Sequence, residues 1–206
     1  GLIVDVGAWV LQDACECCYA WRREGHAVAV SVNVSQLQLD SDDFVQHVRD
    51  ALGKSGLEPD ALTLEIGETA VMADAVETAA KLFELRDLGV RVAIDDFGTG
   101  YSSLAHLERF PVDALKIDRS FVSQLGASPE ARTLIRTLIQ LGRALALDTL
   151  AKGIETETEL AILRAENCAS GQGFLFARPL EPRAAAEFLS RWRDARPAQL
   201  PRAAAN

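Results

Sequence analysis

The feature that most constrains the fold is a repeated alternation between short runs rich in β-branched residues and longer runs with apolar residues at helical spacing. Six strand–helix units follow a leading helix that has no strand of its own. The predicted strands are 27–34, 62–66, 90–95, 114–117, 148–151 and 172–175, and the predicted helices are 6–23, 43–52, 74–88, 102–109, 130–145, one that begins at a Thr156–Glu159 capping box, and 183–193. Gly53 and Gly89 are predicted to end the second and third helices. Alternation of this kind predicts a parallel sheet, either open and doubly wound or closed as a barrel.

The number of predicted strands is too small for a complete barrel. A parallel (β/α) barrel needs about eight strands over roughly 250 residues, whereas this chain has 206 residues. Six strands behind an orphan helix are what remains when the first two strands are removed, so we favour an incomplete barrel over an open sheet. Residues 1–193 are predicted to form this domain, and the proline- and alanine-rich residues 194–206 a disordered tail. Missing strands predict free sheet edges, and hence poor solubility or self-association.

Composition excludes several classes of partner and site. A net charge of −9 argues against a nucleic-acid duplex or an anionic membrane, because both require clustered basic residues. No apolar run approaches the roughly 18 residues of a membrane span and no signal peptide opens the chain, so we expect a cytoplasmic domain, with any membrane tether outside this segment. The four cysteines (Cys15, Cys17, Cys18 and Cys168) lack the spacing of a zinc site and are interpreted as core-filling thiols.

Polar residues fall at the ends of successive predicted strands. They are Asn33, Glu65, Asp95 with Asp96, Lys116, Lys152 with Glu155, and Gln172, the last predicted to open its strand. Each could have a local role, such as a turn cap or an ion pair with an arginine. Together they predict one pocket, because the carboxyl ends of parallel strands converge on one face. Two adjacent aspartates after a Val-Ala-Ile run indicate a bound cation, and oxygen ligands favour Mg²⁺ or Mn²⁺ over zinc. The Asp-Phe-Gly sequence also occurs in protein kinases, but the other kinase motifs are absent from this sequence.

These residues lie in segments that resemble the EAL family of bacterial cyclic-di-GMP phosphodiesterases. The matching segments are Ser-Val-Asn-Val-Ser (31–35), Leu-Glu-Ile-Gly-Glu (64–68), Asp-Asp-Phe-Gly-Thr-Gly-Tyr-Ser-Ser-Leu (95–104), Leu-Lys-Ile-Asp-Arg-Ser-Phe-Val (115–122) and Gln-Gly-Phe-Leu-Phe-Ala-Arg-Pro-Leu (172–180). The resemblance extends over residues 1 to about 190. It implies a TIM-like α/β barrel in which two divalent metals activate a water that cuts cyclic-di-GMP to linear pGpG.

The resemblance also implies a role for each matching residue. Asn33, Glu65, Asp95 and Asp96 correspond to metal ligands, and Lys116 to the lysine that orients the attacking water. Glu68 corresponds to the acid that supports the Asp-Phe-Gly loop. Glu155 corresponds to the last acidic residue of the site and Gln172 to a ligand-contacting position.

The chain departs from the family pattern at two places. The Glu-Ala-Leu signature is not in this sequence, and the family's Ala-Glu-Gly-Val-Glu motif is Ala-Lys-Gly-Ile-Glu (151–155). Lys152 therefore replaces a glutamate that ligates metal. We hypothesise that Lys152 acts as an internal counter-ion for Glu65, Asp95 or Asp96; the alternative is a lysine turned to solvent.

Three functions remain open at this point. We favour a domain that recognises cyclic-di-GMP with impaired or absent hydrolysis and weakened affinity for Mg²⁺ or Mn²⁺. The alternatives are an active phosphodiesterase and a protein-interaction module that does not bind nucleotide. The resemblance also implies a possible homodimer, and an upstream sensory or diguanylate-cyclase domain in the natural protein.

Overall fold

Six parallel strands form one sheet whose order follows the chain. The computed structural model describes residues 2–73, 75–100, 107, 109–126 and 128–195. The strands are β1 (Val30–Val34), β2 (Leu62–Gly67), β3 (Arg91–Phe97), β4 (Ala114–Ile117), β5 (Asp148–Lys152) and β6 (Ser170–Gln172). Each pairs in parallel with the next, which leaves β1 and β6 as the two edges of the described sheet. This curled half-barrel confirms the prediction of an incomplete α/β barrel.

The helices lie between the strands, as the alternation predicts. They are α1 (Leu2–Arg23), α2 (Gln36–Leu39), α3 (Phe44–Ser55), α4 (Glu68–Ala73), α5 (Ala75–Asp87), α6 (Arg119–Val122), α7 (Pro129–Ala144), α8 (Glu157–Ala165) and α9 (Pro182–Ala195). The Thr156–Glu159 capping box is present at the start of α8. The predicted helix 102–109 falls mainly outside the described residues, as do residues 196–206 of the predicted tail. None of the described helices combines the length and apolar character of a membrane span.

Three short helices and several element ends differ from the predictions; α1 begins at Leu2 and not at residue 6, and β1 begins at Val30 and not at residue 27. The sequence analysis missed α2, α4 and α6, which are four to six residues long and too short to show helical periodicity. The prediction that Gly53 ends its helix was wrong: α3 continues to Ser55 and ends at Gly56, whose φ is 74°. Gly56 donates its backbone N–H to the Leu52 carbonyl, which is the usual bond of a left-handed helix cap.

The last strand lies two residues earlier than predicted. Gln172 ends β6 and does not open it. The aromatic residues after Gln172 have high strand propensity, but Gly173 turns the chain away from the sheet. A Cβ at Gly173 would lie 2.0 Å from the Ile154 carbonyl oxygen, so the two backbones approach more closely than any side chain allows. The correction places Gln172 at the carboxyl end of its strand, like the other predicted site residues.

The two faces of the sheet differ in chemistry. One face is aliphatic and packs into the core with the helices; its fully buried residues include Leu62, Leu64, Ile66, Ile94, Leu115 and Ile117. Because side chains alternate along a strand, the intervening residues share the other face. We call it the polar face; it includes Asn33, Glu65, Arg91, Asp95, Lys116, Asp148, Lys152 and Gln172. A parallel sheet that is packed on both faces has apolar residues on both, so packing alone does not explain the polar residues of this face.

Candidate functional site

The strand register brings the polar residues to the carboxyl edge of the polar face. Asn33 lies beside Glu65 in the β1–β2 pair, and Lys152 lies beside Gln172 in the β5–β6 pair. Asp95 follows at the end of β3, paired with Gly67. The predicted convergence of these residues on one edge therefore has the required backbone geometry.

A buried ion pair occupies the middle of the polar face. The Lys116 ammonium donates to the Glu65 carboxylate at 2.5 Å, and both side chains are almost fully shielded from water. A lone charge at either position would be costly to bury. The pair therefore joins β2 and β4 across β3.

Lys152 holds the two adjacent aspartates. Its ammonium lies 2.7 Å from Asp95 Oδ1, 2.9 Å from Asp95 Oδ2 and 2.7 Å from Asp96 Oδ1. Burial lowers the pKa of Lys152, but hydrogen bonds to Asp95 and Asp96 outweigh the burial and raise its pKa above the ordinary value. The ammonium is thus protonated at neutral pH and neutralises part of the acidic pair, which is the geometry that a counter-ion requires.

A β-bulge allows both aspartates to reach one ammonium. From Ile94 to Phe97 the chain advances three residues, while their partners on β4, Leu115 and Ile117, are two residues apart. Asp95 and Asp96 are the two residues of the bulge, and Asp96 has a φ of 53°. In a regular strand consecutive side chains would point to opposite faces. The extra residue and the left-handed backbone bring the two carboxylates together.

Glu68 fixes the segment that follows the bulge. Its buried carboxylate accepts the backbone N–H groups of Gly98 at 2.9 Å and Gly100 at 3.3 Å. A Cβ at Gly98 would lie 2.9 Å from the Phe121 ring, so this segment also packs closely on α6. Glu68 therefore has the contacts that its predicted supporting role requires.

Three predicted site residues that belong to neither lysine ion-pair cluster are exposed at the rim. The side chains of Asn33, Glu155 and Gln172 face solvent and take no part in the two ion-pair clusters. The backbone of Glu155 is nevertheless held, because its N–H donates to the Glu159 carboxylate at 2.8 Å. Ile154, immediately before it, donates its N–H to the Gln172 carbonyl. The structure thus fixes the position of these backbones without bringing the side chains into the central cluster.

Residues of the β4–α6 connection were not predicted as part of the site. Asp118 caps α6 by accepting the Ser120 N–H at 2.9 Å. Burial raises the pKa of Asp118, but hydrogen bonds from the Ser120 hydroxyl and from the backbone N–H groups of Ser120 and Arg119 outweigh it, and the net pKa is lowered. The link from Asp118 to Asp96 places this acid beside the Lys152 cluster. Its position before Arg-Ser, typical of a helix cap, is the sequence signal that could have identified it.

The described residues do not form a ready two-metal centre. Their oxygen donors have the right chemistry for Mg²⁺ or Mn²⁺. However, Glu65 is taken by Lys116, and Asp95 and Asp96 are taken by Lys152. No group of three or more acidic, histidine or cysteine residues within the described ranges is arranged to hold a metal ion. As arranged, the site holds ammonium groups and does not fit the metal pair.

A family model described as the EAL domain matches residues 1–179. The chain belongs to the EAL domain family. NbdA, a cyclic di-GMP phosphodiesterase of Pseudomonas aeruginosa, is 43% identical over 199 residues, which are 96% of this chain and 25% of NbdA. MucR of the same organism, a bifunctional diguanylate cyclase/cyclic di-GMP phosphodiesterase, is 43% identical over 181 residues, which are 87% of this chain and 26% of MucR. The chain thus spans about a quarter of the length of these curated relatives.

Solved structures of EAL proteins have the same fold. The MucR phosphodiesterase in complex with c-di-GMP superposes with a TM-score of 0.87 and 42% identity, over 90% of this chain and 75% of that one. Klebsiella pneumoniae BlrP1, in a complex with manganese and c-di-GMP, has a TM-score of 0.73 and 28% identity over 84% of this chain and 45% of that one. Divalent metal and c-di-GMP are therefore found in structural neighbours of this EAL domain.

Proposed function

We propose that this EAL domain recognises cyclic-di-GMP and hydrolyses it slowly or not at all. The observation that carries the proposal is the contact of Lys152 with both Asp95 and Asp96. It places a fixed positive charge where the family pattern has a metal-ligating glutamate. The family, the c-di-GMP complexes of its structural neighbours and the polar face together support cyclic-di-GMP as the ligand.

Recognition is supported by the two lysines of the polar face. Lys116 and Lys152 lie on neighbouring strands in contact with carboxylates, and a phosphodiester is an anion that lysine side chains bind. Replacing a glutamate by Lys152 changes the charge of the site by two units in favour of an anionic ligand. The exposed Gln172 and Asn33 at the rim are free to meet the rest of the nucleotide.

Impaired hydrolysis follows from the same charges. A divalent metal needs the carboxylates of Asp95 and Asp96 as ligands, and the Lys152 ammonium already binds both of them. A protonated lysine cannot ligate a metal and repels it electrostatically. We therefore propose weakened affinity for Mg²⁺ or Mn²⁺, and with it weak activation of the attacking water.

The test combines calorimetry with product analysis. Cyclic-di-GMP is titrated into the chain with MnCl₂ present, and the mixture is then assayed for pGpG. Binding heat without product is expected for the natural chain, and product is expected to appear in Lys152→Glu. Lys54→Glu makes the same charge change at an exposed site on α3 and should alter neither result. Rapid product from the natural chain would contradict the proposal, and absence of both heat and product would favour a protein-interaction module.

An active phosphodiesterase is the second candidate. It is favoured by the 43% identity to NbdA and MucR and by the contacts of Glu68 with Gly98 and Gly100. On this alternative Glu155 supplies the remaining acidic group and the product is pGpG. The product assay above separates the two candidates directly.

The greater length of the relatives supports a multidomain natural protein. MucR carries a diguanylate cyclase activity in addition to its phosphodiesterase activity. We propose by analogy an upstream sensory or diguanylate-cyclase domain, and a cytoplasmic location for the EAL domain. A homodimer stays a prediction from the resemblance.

A further inference from the structure

We infer that Lys152 is a built-in cation that replaces divalent metal as the structural counter-ion of Asp95 and Asp96. The folded state and the resting position of the segment after β3 are then independent of metal. The inference about stability stands on the geometry alone. Its extension, that ligand recognition is also independent of metal, rests on the proposed function.

The contacts of Lys152 offset the repulsion between the carboxylates of Asp95 and Asp96. Two adjacent carboxylates in one bulge repel each other unless a cation lies between them. The Lys152 ammonium reaches three of their four oxygens at 2.7–2.9 Å. It is carried by β5, two strands from β3 in the sheet, so its position is fixed by the strand pairing. A tethered cation acts at an effective concentration far above that of a dissolved metal ion.

The local charge explains why metal is not required. Asp95, Asp96 and the ammonium sum to −1, whereas a glutamate at position 152 would give −3. With glutamate, the acidic group could be stable only with a cation from solution. With lysine, an incoming divalent ion must displace the ammonium from the carboxylates and is then repelled by the positive charge that remains nearby.

The same cation anchors the segment that leaves the site. Asp96 also accepts, through its backbone carbonyl, the Thr99 hydroxyl at 2.8 Å. Glu68 then binds the N–H groups of Gly98 and Gly100. The segment 96–100 is thus held at its start by Lys152 through Asp96 and further along by Glu68, with protein groups alone. Metal occupancy is not needed to set its position.

Thermal unfolding with metal alone tests the inference. The natural chain, Lys152→Glu, Lys152→Met and the control Lys54→Glu are melted in EDTA and in millimolar MnCl₂. We expect the Tm of the natural chain to change by less than about 1 °C between the two conditions. Lys152→Glu should melt lower than the natural chain in EDTA and gain about 5 °C or more with MnCl₂, because metal bound only to the folded state stabilises it. Lys54→Glu places an acidic residue in the last turn of α3 and is expected to melt slightly lower than the natural chain, but its Tm should not respond to MnCl₂.

Lys152→Met keeps the inference testable if Lys152→Glu does not fold. It removes the charge at similar volume, and its Tm in EDTA should fall by about 3 °C or more. The inference is overturned if Lys152→Met has the same Tm as the natural chain in EDTA, or if MnCl₂ raises the Tm of the natural chain as much as that of Lys152→Glu.

A separate titration compares the Kd of cyclic-di-GMP in EDTA and in MnCl₂. Values within about threefold are expected, and a loss of binding in EDTA alone would overturn the extension. No binding in either condition would instead refute the proposed function, while the melting results still decide the role of Lys152.

Discussion

Lys116 and Glu65 form an ion pair in which the lysine side chain is 4% exposed and the glutamate side chain 7% exposed. Removing one partner leaves the other as an uncompensated buried charge. We therefore expect Lys116→Met to lower the free energy of unfolding by about 3–5 kcal/mol, measured by urea denaturation. Arg183→Met, in an exposed pair with Glu187, should cost less than about 1 kcal/mol. A double variant, Lys116→Met with Glu65→Leu, should recover part of the loss, and a Lys116→Met chain as stable as the natural one would contradict the prediction.

The Glu68 carboxylate should determine how fast the amides of Gly98 and Gly100 exchange with solvent. Glu68→Ala removes the acceptor of both N–H groups, and we expect their hydrogen exchange to accelerate about tenfold or more, since a lost hydrogen bond costs about 1–3 kcal/mol. Exchange is measured by mass spectrometry on peptides that span 97–100. Glu68→Gln keeps an oxygen acceptor and should have a smaller effect. Equal exchange in all three chains would remove Glu68 as the support of this segment.

Two glycines of α3 should respond oppositely to alanine. Gly53 lies inside the helix with no other atom within 4 Å of the place where a Cβ would stand. Gly53→Ala is expected to stabilise the chain by about 0.5–1 kcal/mol through helix propensity. Gly56 has a φ of 74°, so Gly56→Ala should destabilise it by about 1 kcal/mol. Chemical denaturation of both variants measures the two changes in the free energy of unfolding. If Gly53→Ala destabilised the chain and Gly56→Ala stabilised it, Gly53 would be the helix end.

Glu166 should make the stability depend on pH in the acid range. Hydrogen bonds from Arg136 and Arg132 lower its pKa to about 2, from an ordinary value of 4.5. A lowered pKa stabilises the folded state above the ordinary value, and this contribution is lost as the pH falls through the folded value. The stability difference between the natural chain and Glu166→Gln should therefore be constant near neutrality and shrink between about pH 4.5 and about pH 2.

Urea unfolding over that pH range measures the effect. Glu84→Gln, at an exposed position of α5, serves as the control and should show a small difference at every pH. A Glu166→Gln difference that did not change with pH would exclude the arginine pairing as its cause.

The isolated chain is expected to self-associate. Edge strands β1 and β6 leave backbone hydrogen-bonding groups available, and α1 presents Leu2 at 79% and Trp9 at 66% exposure. Sedimentation velocity should show association that increases with concentration and weakens in Trp9→Lys. Leu134→Lys, at an exposed position of α7, should leave it unchanged. A chain that stays monomeric at all concentrations would contradict self-association through the edge strands and the exposed face of α1.

The strand–helix alternation predicted the architecture because aliphatic strands must be buried whatever the rest of the chain does. It predicted β2, β4 and β5 to within a residue. It failed at β6, where Ser170 and Gly171 have low strand propensity and the aromatic residues that follow have high propensity. There the backbone contact between Gly173 and Ile154 determines where the strand ends, and such a contact has no local sequence signal.

The candidate site likewise has features that the sequence predicts and features that it does not. Convergence of Glu65, Asp95 and Lys116 at one edge follows from strand geometry and could be predicted. The choice of partners could not, because it depends on side-chain reach across the sheet: Lys116 binds Glu65, while Lys152 binds the aspartates. Asp118 escaped prediction because its link to Asp96 depends on the bulge in β3.

The bulge in β3 also restricts which residues can occupy position 96. A φ of 53° is tolerated by glycine, asparagine and aspartate and is strongly disfavoured for β-branched residues. Mutational drift at this position is therefore confined to a few small or acidic and amide side chains before charge is considered at all. By contrast, position 152 lies in a regular strand and accepts acidic, basic or apolar residues without backbone strain. The backbone thus restricts the side chain at one half of this contact and places no such restriction on the other half.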